Sequence, residues 1–317
     1  MISFILIGRN EGWKLTKCFE SVFAAITYNQ LNDYEIIYVD SNSTDDSIER
    51  AKKYEKIRTF KITGHYNAAI ARNIGVKESS GNVLFFIDGD MEIQGDFLPL
   101  VYNEGKGLFY DFVSGQFVNY NYDYHGTLLD QSEYFKMETD KIEFTAGGLF
   151  LIKKDLWQKV NGMKSKLRRS QDIDISIRLA GIGVFLRRKR ELLAIHHTVS
   201  YHHHQRTWKM LLNGSEFYRS VLMRDNILNG YQWKLFFREN YSSMVLLMVV
   251  ALSFVVKSPL AIALYLIVII LRVLKKKVTI LQKLNLLVYY LLRDIGTWFS
   301  MFFFWPSNKN QLKYERL

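Results

Sequence analysis

The chain has 317 residues, of which 49% are hydrophobic, so it can bury a full core and is longer than one average domain. Its formal net charge of +11 at pH 7 is compatible with three kinds of partner, namely nucleic acid, anionic lipid and phosphorylated substrate. Cys18 is the only cysteine, which excludes an internal disulfide and a four-cysteine zinc module and is typical of a reducing cytosol.

Apolar runs alternate with helical patterns through the first part of the chain. Strands are predicted at 3–7, 34–39, 60–62 and 84–87, and helices between them at about 15–26, 46–54 and 68–77. This β-α-β-α-β-α-β order predicts a mostly parallel, Rossmann-like sheet with flanking helices. Because ligands bind at the carboxyl ends of the strands in such sheets, a functional site is expected in the loops that follow these strands.

The fourth predicted strand ends in Asp88, Gly89 and Asp90. Gly89 is expected to adopt backbone angles closed to other residues and to turn the chain sharply. Two carboxylates so close repel each other unless they share a cation, and oxygen ligands suit Mg²⁺ or Mn²⁺ carrying the phosphates of a substrate. The motif therefore predicts a nucleotide and metal site, and solvated acids in a turn are the structural alternative.

Two further elements of the first half are relevant to a site. A glycine-led strand is predicted at 144–152, where Gly147 and Gly148 either let a sugar approach the backbone or mark a bulge. Helices are predicted at about 155–160 and from about Gln171 onward. Asp172 lies in the first turn of the later helix, where the helix dipole favours an acid.

The chain becomes strongly apolar after about residue 231, and a hairpin of two short helices is predicted at about 241–274. A single span through this stretch would leave Lys257 near mid-bilayer, at a cost of roughly 2.5 to 3.5 kcal/mol. Each short helix would be about 24 Å long, less than a hydrocarbon core of about 30 Å, so the bilayer must thin or the insertion must be re-entrant. Arg272 and the lysines at 275–277 should remain cytoplasmic.

A third hydrophobic helix is predicted at about 284–305. Because it contains Arg293 and Asp294, it is expected to lie at the membrane interface or to pack on the hairpin. The sequence thus predicts a catalytic domain at 1–230 and membrane-associated helices at 231–317. A buried helical domain is the alternative for the second part.

Four motifs in chain order resemble the successive signatures of family 2 glycosyltransferases. They are Ile5–Gly12 (ILIGRNEG), Tyr38–Ser47 (YVDSNSTDDS), Ala71–Gly75 (ARNIG) and Phe86–Asp90 (FIDGD). The resemblance covers roughly residues 1–215. It implies a GT-A fold, a nucleotide-sugar donor, a divalent cation and inversion at the anomeric carbon.

The resemblance also implies roles for individual donor-site residues. Asp40 would accept the N–H of a uracil or guanine ring, although it could instead cap the next helix. Glu11 would contact the nucleoside, and Arg72 would contact phosphate oxygens in bidentate fashion; either could instead be a surface residue. Asp88 would contact the ribose or a metal-bound water, and Asp90 would coordinate the cation directly.

The segment from Ser170 to Leu179 resembles the family's Glu-Asp-x-Asp-Leu-x-x-Arg-Leu stretch, whose second acid is the general base. Asp172 matches that acid, and Gln171 stands where the family usually has another acid. An inverting transfer needs one base, because the acceptor hydroxyl must lose its proton as it attacks the anomeric carbon from the face opposite the leaving diphosphate.

His196 matches a family histidine that completes the metal site, and an imidazole ligand favours Mn²⁺ over Mg²⁺. His197 and the histidines at 202–204 leave open which ring faces the metal. A hydrogen bond to the diphosphate, or a plain core position, is the alternative for His196.

Together these features predict a metal-dependent glycosyltransferase (EC 2.4 class) on the cytoplasmic (inner) membrane, with its catalytic domain facing the cytoplasm. The predicted cofactor is Mn²⁺ or Mg²⁺, the donor is a UDP-, GDP- or dTDP-sugar, and the acceptor is a hydroxyl of a lipid-linked saccharide or glycolipid in surface polysaccharide synthesis. Polyprenyl phosphate is an alternative acceptor, and a non-catalytic, membrane-tethered nucleotide-sugar-binding protein is an alternative function. A nucleic-acid partner is not expected, because much of the positive charge lies beside the apolar segments.

Overall fold

The computed structural model describes residues 1–123, 125–135, 137–199, 204–276, 278–307 and 312–317, with the backbone alone for 204–207. His202, His203, Lys277 and the side chain of His204 lie outside the described part. The chain divides into two compact units, of which the first contains Met1–Ser200 and Ser307–Leu317 and the second contains Tyr201–Pro306. This boundary falls earlier than the residue 230 expected from the sequence, and the end of the chain returns to the first unit.

The first unit is a mixed α/β structure. Its strands are β1 (Ile2–Gly8), β2 (Tyr34–Asp40), β3 (Ile57–Ile62), β4 (Val83–Asp88), β5 (Met91–Ile93), β6 (Tyr102–Asn103), β7 (Gly107–Leu108), β8 (Phe112–Tyr122), β9 (Leu128–Glu133), β10 (Lys141–Glu143), β11 (Phe150–Lys153), β12 (Leu186–Val199) and β13 (Tyr314–Arg316). Its helices are α1 (Trp13–Tyr28), α2 (Ser47–Ala51), α3 (Ala68–Glu78), α4 (Lys154–Lys159) and α5 (Gln171–Gly181), with a 3-10 turn at Gly95–Leu100.

Among the described residues, eleven of these strands form one sheet with the order β10-β12-β8-β11-β4-β1-β2-β3-β13, to which β5 and β9 are added on β12 and β8. Strands β4, β1, β2 and β3 are mutually parallel, as the sequence predicts. Strand β11 joins β4 in the antiparallel sense, and β12 runs parallel to β8. Strand β12 thereby brings residues from late in the sequence to the carboxyl ends of the parallel strands.

The sheet is buried on both faces. Leu15, Phe19 and Val22 of α1 pack on one face, and Ile70 and Ile74 of α3 pack on the other. These positions recur at the three- and four-residue spacing of an amphipathic helix, which is why the pattern predicted both helices.

The predicted strand at 144–152 is shorter in the structure, because β11 begins only at Phe150. The preceding residues form a loop that Ser114 holds in place, since its hydroxyl donates to the carbonyl of Leu149 at 2.7 Å. This loop carries Gly148 to the carboxyl end of β4, where the candidate site lies.

The second unit is helical. Its helices are α6 (His204–Leu212), α7 (Tyr218–Asp225), α8 (Gly230–Val256), α9 (Ala261–Leu274) and α10 (Ile280–Phe303), with a 3-10 turn at Ser215–Phe217. Within the described residues, one helix, α8, is both long enough and apolar enough to cross a membrane. Helix α9 is also apolar but is shorter. The predicted hairpin corresponds to the end of α8 and to α9, and Lys257 follows α8 in the left-handed conformation.

Helix α10 buries the two charges that its sequence contains. Arg293 pairs with Asp294 at 3.0 Å, and the hydroxyl of Tyr265 on α9 donates to Asp294 at 3.3 Å. Tyr289 and Tyr290 join Val249 of α8 in the apolar core of this unit. The third helix therefore packs on the hairpin, which is one of the two arrangements that the sequence predicts.

Candidate active site

A pocket of about 300 Å³ opens at the carboxyl ends of β1, β2 and β4. Its lining includes Gly8, Arg9, Glu11, Ser41, Tyr66, Asn67, Asp88, Asp90 and His196. The structure thus brings together four of the predicted site residues, from the β1 loop, the β4 loop and β12. Asp40, Arg72 and Asp172 do not line the pocket.

Asp88 is paired with a buried arginine. Arg72 is 2% exposed, and its Nη2 donates to Asp88 Oδ1 at 2.6 Å and to the Gly148 carbonyl at 3.2 Å. A Cβ on Gly148 would lie 2.2 Å from Asp88 Oδ2, so glycine is required there for the ion pair to form. Burial raises the pKa of Asp88, and the charge of Arg72 opposes this rise.

Gly89 serves the site in a different way from that predicted. Its φ is not positive; its amide donates to the Ile7 carbonyl at 2.7 Å, and a Cβ would lie 3.2 Å from that oxygen. Close approach of the chain to β1, rather than a left-handed turn, is what favours glycine between the two acids.

Asp90 faces His196. The Nε2 atom of His196 lies 3.3 Å from Asp90 Oδ2, and its Nδ1 atom lies 2.8 Å from the side-chain oxygen of Asn119 on β8. Because an amide oxygen only accepts, Nδ1 carries a proton, which fixes the ring so that Nε2 is directed at Asp90. Burial would raise the pKa of Asp90, but the hydrogen bond and charge of His196 hold it below its usual value.

His197 points into a separate network. Its Nε2 donates to Glu92 at 2.5 Å, its Nδ1 accepts from the hydroxyl of Tyr122 at 2.9 Å, and its ring packs edge-on against Trp13. Both ring nitrogens are therefore engaged away from Asp90. Of the two adjacent histidines, His196 is the one that faces the carboxylate.

Glu11 forms an ion pair with Lys14 at 2.7 Å, one turn into α1. Burial, together with the charges of Asp90 and Asp88, raises the pKa of Glu11 to about 7 against the lowering effect of Lys14. Two of the three acids are thus paired with a cationic side chain, Glu11 with Lys14 and Asp88 with Arg72, and Asp90 faces His196.

Asp40 is fully buried at the end of β2. Its carboxylate accepts from the backbone and the hydroxyl of Ser43 at 2.7 and 2.5 Å, and from the hydroxyl of Tyr38 at 3.0 Å. These bonds shape the loop that carries Ser41 to the pocket. A direct contact of Asp40 with a base stays a prediction.

Asp172 and Asp174 are two residues apart on α5 but have different environments. Among the described residues, the Asp172 carboxylate accepts a hydrogen bond from the Ile173 amide at 2.9 Å, and burial raises its pKa while the charge of Arg72 opposes the rise. Asp174 is fully buried between Arg178 at 2.7 Å and Lys164 at 3.1 Å. Asp174 is therefore a structural acid, whereas the charges of Arg72 and Asp88 act on Asp172.

The family model of glycosyl transferase family 2 matches residues 3–173, which is more than half of the chain. The chain belongs to glycosyl transferase family 2. This confirms the resemblance of the four motifs, three of which supply residues that line the pocket, in the loops after β1, β2 and β4.

Relatives of this family 2 member include archaeal and bacterial proteins. Glycosyltransferase AglE of Haloferax volcanii is 24% identical over 204 residues, covering 62% of this chain and 66% of that protein. Poly(ribitol-phosphate) beta-N-acetylglucosaminyltransferase TarP of Staphylococcus aureus is 32% identical over 120 residues, covering 37% of this chain and 36% of that protein. In both cases the matched part is less than two thirds of the relative's length.

Among solved structures, S. aureus TarS 1-349 in complex with UDP-GlcNAc matches with a TM-score of 0.52 at 15% identity, covering 77% of this chain and 75% of that chain. At this identity the likeness shows the fold alone. The GT-A fold predicted from the motifs is confirmed.

Two residues that contact pocket side chains had no sequence-based prediction. Asn119 orients His196, and Lys14 neutralises part of the charge of Glu11. Lys14 lies three residues after Glu11 at the start of a predicted helix, so its spacing could have indicated the pair. Asn119 lies inside a long strand of mixed composition, and no local pattern marks it.

Proposed function

We propose that this family 2 glycosyltransferase transfers a sugar from a nucleotide diphosphate to an acceptor hydroxyl with inversion at the anomeric carbon. The convergence of Glu11, Asp88, Asp90 and His196 on one pocket at the strand ends supports the proposal. The crystal structures of TarS with UDP and with UDP-GlcNAc make a uridine-linked donor the first candidate among UDP-, GDP- and dTDP-sugars.

Asp90 and His196 are the residues that would hold Mn²⁺ or Mg²⁺. Their facing atoms are 3.3 Å apart, and Asn119 orients the imidazole through a hydrogen bond to its other ring nitrogen, as partners of ligating histidines do in metal sites. Among the described residues, no group of three or more His, Cys, Asp or Glu side chains can hold a metal ion by itself. With two protein ligands, a cation held here would also need oxygen ligands from the donor or from water, and it would supply neutralising charge to the leaving group.

Asp172 is the proposed general base. Burial raises the pKa of Asp172, which makes the carboxylate a stronger base than a free one, and the charge of Arg72 limits the rise. Arg72 also holds Asp88 in the pocket wall. A phosphate acceptor such as polyprenyl phosphate needs no strong base, so the environment of Asp172 favours a hydroxyl acceptor, which we assign to a lipid-linked saccharide or glycolipid.

The second unit is proposed to associate with the cytoplasmic membrane and to leave the catalytic unit in the cytoplasm. Only 22% of the most apolar window of α8 is buried, whereas a core helix of a soluble protein would be mostly covered. Large side chains at the ends of these helices are also exposed, including Phe254, Leu260, Ile280 and Phe303. We keep the proposal of a catalytic domain at 1–230 and a membrane-associated part at 231–317, in which helices α8 to α10 contact the membrane and Ser307–Leu317 belong to the first unit.

The donor is identified by heating the purified protein with UDP-, GDP- and dTDP-sugars and Mn²⁺, and then measuring release of nucleotide diphosphate from the sugar that raises the melting temperature. We expect Asp90→Ala to lose the Mn²⁺-dependent stabilisation. Asp111→Ala, which removes a half-exposed acid paired with Lys153, is the matched control and should keep it. If no nucleotide sugar stabilises the wild type or is hydrolysed by it, the proposed function is wrong.

A further inference from the structure

The helical unit carries a set of cations without acidic counterparts. Between Glu239 and Asp294 the sequence contains no Asp or Glu, although it contains seven Lys and Arg residues. Lys275, Lys276 and Lys283 from this interval line one shallow depression between the end of α9 and the start of α10. We call these three residues the lysine cluster.

The arginines of the same interval are used inside the unit, whereas the lysine cluster is not. Arg272 donates to the Glu239 carbonyl at 2.7 Å and lies 4.3 Å from the ring centre of Tyr290, and Arg293 pairs with Asp294. No residue of the lysine cluster forms an ion pair with an acid in the described part of the chain. Its positive charge is therefore available to a partner.

The lysine cluster lies where the apolar hairpin begins. The bond from Arg272 to the Glu239 carbonyl places the end of α9 beside the residues of α8 that precede its apolar stretch. Apolar side chains beside the cluster are strongly exposed, namely Leu271 (53%), Leu274 (57%), Ile280 (80%) and Leu281 (71%). When the hairpin enters a bilayer, the lysines are thus at the level of the lipid phosphates.

We propose that the lysine cluster is a binding site for the phosphate groups of anionic phospholipids. This proposal rests on the membrane association in the proposed function and adds the class of lipid. Ammonium groups bind phosphate as point charges. An anionic phospholipid has no cationic group of its own to neutralise its phosphate, so it attracts the lysines more strongly than a zwitterionic lipid does. Each lysine near an anionic leaflet contributes about a five-fold factor in binding, so three contribute about 100-fold.

The test compares the full chain on vesicles of phosphatidylcholine alone and of phosphatidylcholine with about 30% phosphatidylglycerol, at about 0.1 M NaCl, where charges act over roughly 10 Å. The triple variant K275Q/K276Q/K283Q removes the cluster. The variant K52Q/K53Q/K56Q is the matched control, because it removes the same charge from three exposed lysines of the first unit. Nucleotide affinity is measured on all three proteins.

We expect the wild type and the control to bind the anionic vesicles about 100-fold more tightly than the neutral ones, and the cluster variant to lose most of this preference while it still binds neutral vesicles. Equal binding of the wild type to both vesicles, or an undiminished preference in the cluster variant, would overturn the lipid assignment and leave membrane association intact. Binding to neither vesicle would overturn both. Nucleotide affinity should be the same in all three proteins, which separates either failure from a failure of the glycosyltransferase proposal.

Discussion

Replacing Arg72 by Met tests whether the charge balance behind the pocket stabilises the fold. The guanidinium is 2% exposed and neutralises Asp88, and its charge also acts on Asp172. Removing one partner of a buried ion pair typically destabilises a protein by about 3 to 5 kcal/mol. Because the side chain of Asp88 retains 32% exposure, solvent screens part of the loss, and we expect a decrease of about 3 kcal/mol in the free energy of unfolding at pH 7.

The decrease should depend on pH in a defined direction. Burial already raises the pKa of both Asp88 and Asp172 in the folded protein, and loss of Arg72 raises them further. The ionised carboxylates are then less favourable in the folded than in the unfolded state. The penalty is full above the raised pKa values and disappears as the pH falls towards the unfolded value of about 4.

Urea unfolding of the wild type and Arg72→Met between pH 5 and pH 8 measures the effect, with the slope of the transition used to check that both unfold alike. Arg58→Met is the matched control, because Arg58 is 33% exposed in its pair with Glu35, so water replaces part of the lost interaction and the decrease should be smaller, about 1 kcal/mol. The reasoning would be refuted if Arg72→Met lowered the free energy of unfolding no more than the control does, or if its effect were as large at pH 5 as at pH 8.

Three further substitutions separate catalysis, stability and metal affinity. Asp172→Asn should lower the rate of transfer by about 10² to 10⁴ with nucleotide affinity nearly unchanged, and a variant that keeps more than about a third of the wild-type rate when the chemical step limits turnover is incompatible with a general base. Asp174→Asn should instead lower the free energy of unfolding by about 3 kcal/mol, because it disrupts the charges of Arg178 and Lys164; unchanged stability in urea would contradict the structural role. Asn119→Ala should weaken Mn²⁺ affinity about 10- to 100-fold in calorimetry, and an unchanged affinity would show that the orientation of His196 does not depend on it.

Local pattern was sufficient for the elements that build the parallel half of the sheet. Their secondary structure follows from buried apolar runs in β1 and β4 and from the apolar spacing in α1 and α3. The motif at the end of β4 likewise predicts where Asp88 and Asp90 lie. The contact between Arg72 and Asp88 could not be predicted from local sequence pattern, because it depends on the absence of a side chain at Gly148, which lies in a loop far away in the sequence.

The domain boundary depended on contacts between distant residues. Ser220 of α7 donates to the carbonyl of Thr297 on α10 at 2.8 Å, and this tie assigns α7 to the helical unit although its composition is that of a soluble domain. Strand β13 has three residues and no strand pattern of its own. It forms because Lys313 accepts the amide of Thr63 at 3.0 Å and because Tyr314 packs against Phe60, which places it on the edge of β3.

The most direct test of the central claim is a calorimetric titration of UDP, GDP and dTDP into the wild type and into Asp90→Ala, each with and without Mn²⁺. The account predicts that Mn²⁺ raises the affinity of the wild type for one of these nucleotides by about 10-fold or more and has no such effect on the variant. Equal affinities of the two proteins in the presence of Mn²⁺ would contradict a nucleotide and metal site at Asp90.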